Sequence, residues 1–251
     1  MATATQREPA ADPVVAARID LAAAFRLAAR FGFHEGICNH FSLAVPGAPG
    51  RFLLNPYGRH WSELRASDLL TVDAEGKVLA GSGTAEPTAF FIHSRIHRGN
   101  RQAACVMHTH MPQATALTTL AHGRLEWISQ TSAKFYDRVA YYDEYNGLAL
   151  DEAEGDRICA ALGDKPVLFL ANHGVIVTGD TVAQAFDDLY YLERVCQLQL
   201  LAYQTGRPLR RIPEAMMRRT AQQMLTDQQS APEHFAALKR LLDRDEPSYA
   251  E

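Results

Sequence analysis

The sequence predicts an α/β protein: a single three-layer domain built on a mixed or mainly antiparallel sheet. Three observations predict it. Helical and strand-like patterns alternate along the chain, but irregularly, so they do not repeat as βαβ units. Asp73-Ala74-Glu75-Gly76 reads as a hairpin turn, and a hairpin joins antiparallel neighbours. Gly81-Ser82-Gly83 falls short of the G-x-G-x-x-G fingerprint and no P-loop sequence is present, which argues against a doubly wound nucleotide fold.

The elements follow in order. Met1 to Pro13 is polar and reads as a disordered tail, without the basic start and apolar stretch of a signal peptide. Val14 to Phe33 reads as a helix, with Ile19, Ala23, Leu27 and Phe31 four residues apart and Gly32 near its end. Cys38 to Val45 alternates as a strand does. Pro46 to Gly50 turns the chain into a second strand, Arg51 to Leu54, which runs into the turn Asn55-Pro56-Tyr57-Gly58. Leu69 to Asp73 and Lys77 to Ala80 flank the hairpin turn. A loop, Gly81 to Thr84, leads to Pro87, well placed to open a helix reaching about Arg98, with Glu86 at its N-terminus. Ala103 to His108 is a strand, and Met111-Pro112 opens a helix to about Leu120. Arg124 to Asp143, rich in aromatic residues, reads as a loop with short strands, and Lys134 and Arg138 within it as solvated. Asp151 to Leu162 is a helix capped by Asp151. Val167 to Ala171 and Val175 to Thr178 are strands around a turn at His173. Asp180-Thr181 opens a long helix ended by Gly206 and Pro208. Pro213 to Leu242 holds two further helical stretches, polar enough for the surface or a neighbouring subunit.

The bulk numbers narrow the function. A chain of 251 residues with 47% hydrophobic residues suits an ordinary globular domain. A net charge of −4 advertises no face for nucleic acid. No apolar run approaches the roughly 20 residues of a membrane helix, so a cytoplasmic location is expected. Cys38, Cys105, Cys159 and Cys196 have no C-x-x-C spacing and read as packed thiols in a reducing compartment.

Cys105-Val106-Met107-His108-Thr109-His110 carries the chemical signal. Alternation on a strand puts His108 and His110 on one face, where two imidazoles pack poorly and chelate well. His173, in Asn172-His173-Gly174, also follows an apolar strand. Read alone it is equally a satisfied loop histidine; beside the pair it completes a three-imidazole set with room for a further ligand. His93 and His97 are spaced i, i+4, but among Ser94, Arg95 and Arg98 they read as solvated or interface residues. Glu86 alone would merely complement a helix dipole.

The segments Asn39 to Ser42, Leu54-Asn55-Pro56-Tyr57-Gly58, Gly83 to Glu86, Val106 to His110 and Ala171-Asn172-His173-Gly174 occur in an order and spacing that resemble the class II aldolase and adducin head-domain family. The resemblance runs from about Asp20 to Tyr203. It implies one three-layer α/β/α domain with a central, largely antiparallel sheet over residues 14–206, preceded by the tail 1–13 and followed by a helical extension, 207–251. It further implies a divalent metal ion, zinc first and manganese, iron or cobalt as alternatives, held by His108, His110 and His173. Glu86 would be the catalytic acid/base, and Asn39, Asn55, Tyr57, Gly58 and Thr84 the substrate contacts. The implied activity is a lyase making or breaking a carbon–carbon bond beside a carbonyl in a small oxygenated substrate, through a metal-stabilised enolate. Alternatives within the family are a decarboxylase of a small keto or hydroxy acid on the same site and a non-catalytic adducin-like module. Thr84-Ala85 before Glu86, and the Asn55 to Gly58 loop, depart from the phosphate pocket of sugar-phosphate aldolases. Family aldolases are tetramers with active sites at subunit interfaces, so a homotetramer is expected, with no nucleic-acid or membrane partner.

Overall fold

The structure, a computed structural model, describes residues 12–100 and 103–251. Most of the expected tail, residues 1–11, lies outside them. Helix α1 spans Pro13–Phe31: Asp12 caps it by accepting from the Val14 amide, and Gly32 closes it in the left-handed conformation at φ 71°. The helix therefore starts at Pro13, inside the stretch read as tail.

Strands β1 (His40–Ala44), β2 (Arg51–Leu54), β3 (Leu70–Asp73) and β4 (Val78–Ala80) form an antiparallel meander. Helix α2 (Pro87–Gly99) leads to β5 (Cys105–Thr109) and α3 (Pro112–Thr118). The aromatic stretch supplies a 3₁₀ turn, Thr131–Phe135, and strand β6 (Val139–Tyr142). Helix α4 (Glu152–Leu162), strands β7 (Val167–Leu170) and β8 (Gly174–Gly179), and helices α5 (Val182–Gln204), α6 (Glu214–Leu225) and α7 (Ser230–Asp245) complete the order. The strands make one eight-stranded sheet, β4-β3-β2-β1-β5-β8-β7-β6, antiparallel throughout except for the β6–β7 edge.

Strand alternation divides the core into layers. Phe41, Leu43, Leu53, Cys105, Met107, Val175 and Val177 face one side and pack with Leu21, Phe25 and Leu27 of α1 and with Phe186, Leu189 and Leu192 of α5. Val106, Leu168, Leu170 and Ile176 face the other side, against Ile92 and Ile96 of α2 and Ile158 and Leu162 of α4. The three-layer α/β/α arrangement is thus as expected.

Two readings of surface character are corrected. Phe235, Leu238, Leu242 and Tyr249 of the C-terminal segment are buried in the main core with α1 and α5; spacing on α7, not mean polarity, decides which side chains go in. Lys134 is not solvated: its Nζ lies 2.7 Å from Asp187 and 2.8 Å from Asp188, both buried on α5. Arg138 pairs with Asp188 at 2.8 Å, and His234 of α7 sits 2.7 Å from Asp187. Burial alone would push the Asp187 carboxyl up, but hydrogen bonds from His234 and Lys134 hold it below its ordinary value. The ion pairs of Lys134 and Arg138 therefore fasten the 3₁₀ turn and the segment after it to α5, and the His234 hydrogen bond fastens α7 to it.

Candidate metal centre

β5 and β8 are antiparallel neighbours, with His108 opposite Ile176 and Thr109 opposite Val175. The C-terminal end of β5 therefore lies beside the start of β8, and His110 beside the turn carrying His173. The sharp turn is taken at Asn172, φ 55°, a residue that tolerates the left-handed conformation. Gly174 serves a different purpose from the turn-making role its position suggests: a Cβ there would stand 2.5 Å from the Thr109 carbonyl oxygen. Only glycine lets β8 close on β5 at this point and bring the histidines together.

One nitrogen from each of His108, His110 and His173 lies within 4.8 Å of the others, and the ring centroids are 4.7–5.0 Å apart. Two of the rings have their other nitrogen committed. His108 Nδ1 donates to the Val175 carbonyl at 3.0 Å, and His110 Nδ1 donates to the Glu35 carboxylate at 2.6 Å. A carbonyl or carboxylate can only accept, so in the neutral rings both protons are on Nδ1 and both Nε2 atoms are bare. Those Nε2 atoms are 3.2 Å apart. Two lone pairs facing each other at that distance repel unless a cation lies between them. Burial holds His108 well below the ordinary histidine range, with His173 next among the causes, and burial and His110 bring His173 down to about 4. The donor set fits a divalent ion such as zinc, with both outer-shell partners already in place.

Glu86 is the N-cap of α2. Its Oε2 accepts from the Ala89 amide at 2.8 Å and from the Thr88 hydroxyl. It faces His40, whose Nε2 is 4.0 Å away, and the His40 ring stands 4.9 Å from that of His108. His40 so stands between the acid and the triad. Asn39 is buried and accepts from the Glu35 amide at 2.7 Å and the His110 amide at 3.4 Å, which ties the loop before β1 to the end of β5. Asn55, also buried, donates to the Asn39 carbonyl at 3.5 Å. Asn39 Nδ2 and Asn55 Oδ1 are buried without hydrogen-bond partners beside the cluster. The Tyr57 amide donates to the Thr84 carbonyl at 2.8 Å, so the loops carrying Tyr57, Gly58 and Thr84 meet. Gly58 adopts φ 85°, and the Tyr57 and Thr84 side chains are exposed.

His93 and His97 are not solvated. His93 is fully buried, and both rings point from α2 to the sheet. His40 Nδ1 is 2.7 Å from His93 Nε2, Ser42 Oγ is 2.5 Å from His93 Nδ1 and 2.6 Å from His97 Nε2, and His97 Nδ1 donates to the Ala103 carbonyl at 2.8 Å. Burial lowers all three rings: His40 to about 3, His97 to about 4, and His93 well below its ordinary value. Two signals could have found this string. His40 and Ser42 share a face of β1, and His93 and His97 flank Ile92 and Ile96 on the stripe of α2 that meets the sheet.

Comparison with known proteins agrees with this architecture. A family profile described as Class II Aldolase and Adducin N-terminal domain matches residues 19–200. A protein of Caulobacter vibrioides, placed by its name among the class 2 aldolase proteins, is 37% identical over 94% of this chain and 92% of its own length. The decarboxylase NovR of Streptomyces niveus is 30% identical over 87% of this chain and 83% of its own. Mouse alpha-adducin is 35% identical over 73% of this chain but only 25% of its own length. Among solved structures, an aldolase II superfamily protein from Pseudomonas syringae superposes with TM-score 0.89 at 34% identity, covering 98% of both chains. The L-fuculose 1-phosphate aldolase from Glaciozyma antarctica does so with TM-score 0.84 at 26% identity, over 98% of this chain and 97% of that one.

Proposed function

The chain belongs to the class II aldolase and adducin family, and from that premise we propose that it is a metal-dependent lyase acting on a carbon–carbon bond beside a carbonyl in a small oxygenated substrate. The observation that carries the reading is the pair of bare nitrogens, His108 Nε2 and His110 Nε2, 3.2 Å apart beside His173. A module kept only for binding other proteins would have no use for two lone pairs left facing each other in a largely buried cluster.

His108, His110 and His173 would hold the ion, zinc by preference for three imidazoles. When bound there, such an ion would supply Lewis-acid polarisation of the carbonyl beside the bond that breaks. Glu86 moves the proton: the Ala89 amide and the Thr88 hydroxyl, both bonded to Oε2, fix its carboxylate at one wall of the site and leave Oε1 to take the proton. Asn39 and Asn55 direct one donor and one acceptor at the substrate through the atoms left unpaired, while the backbone contact from Tyr57 to Thr84 joins the loop after Asn55 to the one before Glu86. The tetramer of related aldolases is the proposed assembly.

The test is elemental analysis of protein purified without chelator, followed by an assay for carbonyl products against a panel of small hydroxy acids and ketones. About one divalent ion per chain and cleavage that falls about 10²- to 10⁴-fold in Glu86→Gln, with metal retained, are expected. Metal-free protein with no Glu86-dependent turnover would exclude the reading. The similarity to a named decarboxylase favours one second reading, loss of CO2 on the same residues. Release of CO2 without an aldehyde product would select it.

A further inference from the structure

The string running from Ala103 to His40 has only one arrangement of protons when its rings are neutral. A carbonyl oxygen only accepts, so His97 carries its proton on Nδ1, toward Ala103. His97 Nε2 is then bare, and the Ser42 hydroxyl, 2.6 Å away, donates to it. Ser42 has a single hydrogen, so toward His93 its oxygen can only accept, and His93 carries its proton on Nδ1. His93 Nε2 is bare in turn, and His40 Nδ1 donates to it across 2.7 Å. The last ring therefore shows a bare Nε2 to the wall of the site. One backbone carbonyl, two residues ahead of β5, dictates a tautomer three side chains away.

That Nε2 faces a second acceptor, the Glu86 carboxylate, at 4.0 Å. The gap is too wide for a direct hydrogen bond, and two acceptors would not make one in any case. It is the right width for one oxygen lying roughly 2.8 Å from each. We propose that His40 is a substrate-contact residue, locked as the Nδ1–H tautomer by Ser42, His93 and His97, and that its bare Nε2 accepts a hydrogen bond from a hydroxyl group of the substrate beside Glu86. The hydroxyl gives its hydrogen to His40; because Glu86 Oε2 already accepts from Ala89 and Thr88, the proton that Glu86 takes goes to Oε1, from which the hydroxyl's lone pairs stay available to accept. A substrate without this hydroxyl leaves a buried acceptor unpaired, so the string selects hydroxylated substrates over their deoxy analogues. Ser42, His93 and His97 act through His40 and are positioning residues.

The inference rests on the metal-lyase reading for its substrate, but not for its tautomers, and the experiment separates the two. Neutron diffraction from deuterium-exchanged crystals should show deuterium on Nδ1 of His40, His93 and His97 and none on His40 Nε2; deuterium on His40 Nε2 overturns the proposal. Zinc-loaded protein should bind glycolohydroxamate about tenfold more tightly than acetohydroxamate, which chelates equally well but lacks the hydroxyl. The preference should vanish in His40→Phe and in Ser42→Ala and return in Ser42→Thr, which restores the oxygen. A preference unchanged in both of the first two variants refutes the contact. Binding of neither chelator by the zinc-loaded protein refutes the metal reading itself, and the hydroxyl contact falls with it.

Discussion

His108, His110 and His173 stand where β5 ends and β8 begins, and their free nitrogens converge on one point. His40, His93 and His97 lie between the same sheet and α2, and there every inner nitrogen is spent on a neighbour in the string. Residue type is the same in both groups, and burial is the first cause of lowered basicity at His108 and His173 just as at His40, His93 and His97. What differs is where the second nitrogen goes. In the triad, Val175 and Glu35 take the Nδ1 protons from outside, so the inward lone pairs are left over. In the string the rings take one another's protons, so only the terminal lone pair, on His40, is left. Chelation capacity follows from the direction of the outer hydrogen bonds rather than from how many histidines are gathered.

Substitution should separate the two groups, and the largest effect is expected in the triad. His108→Ala combined with His110→Ala should take metal content from about one ion per chain to near zero, read by elemental analysis. His93→Ala should leave the metal in place. It empties a fully buried site and orphans His40 Nδ1, so a loss of roughly 3–5 kcal/mol in urea unfolding is expected with metal content preserved. If both variants lost metal to the same extent, the groups would be one functional unit and the contrast would collapse.

The two groups were not equally legible in the sequence. His108 and His110 could be paired because strand alternation is local: the period of two is visible within one short run. The meander and the α2 N-cap were legible for the same reason. The string depends on β1 meeting α2, more than 50 residues apart in sequence, and no local pattern reports that contact. His93 and His97 were misread because Ser94, Arg95 and Arg98 make their neighbourhood polar on average. Ile92 and Ile96 show that the buried stripe of α2 passes beside them. Lys134 failed similarly, since its partners Asp187 and Asp188 sit on α5, five elements along in the chain.

Acid should destabilise the string. His97 is brought down to about 4 by burial, partly offset by its bond to Ala103, and His93 is lowered further by burial and by His40 and His97. Their folded values lie below the unfolded value of about 6.5, so the unfolded chain binds more protons. The stabilisation is complete above that value and is lost as pH falls toward the folded ones. At pH 5, His97 alone should cost about 2 kcal/mol relative to pH 7. Urea midpoints at the two pH values measure it, and His97→Gln should flatten the dependence. An equal slope in wild type and variant would mean that His97 is not the group titrating.

The smallest effect tests the outer half of the comparison directly. Val175 holds His108 through a backbone carbonyl, which no substitution deletes, but Glu35 holds His110 through a side chain that is 68% exposed. Glu35→Ala should weaken zinc binding by about tenfold, the low end of what such orienting partners contribute, because water reaches the vacated position. Glu35→Gln should recover most of the loss, since its amide oxygen accepts the same hydrogen bond from Nδ1 and keeps Nε2 bare. A loss in Glu35→Gln as large as in Glu35→Ala would mean that Glu35 acts by its charge and not by setting the tautomer. The triad would then be a site tuned by electrostatics, and the string alone would be the part of the molecule in which hydrogen-bond direction decides function.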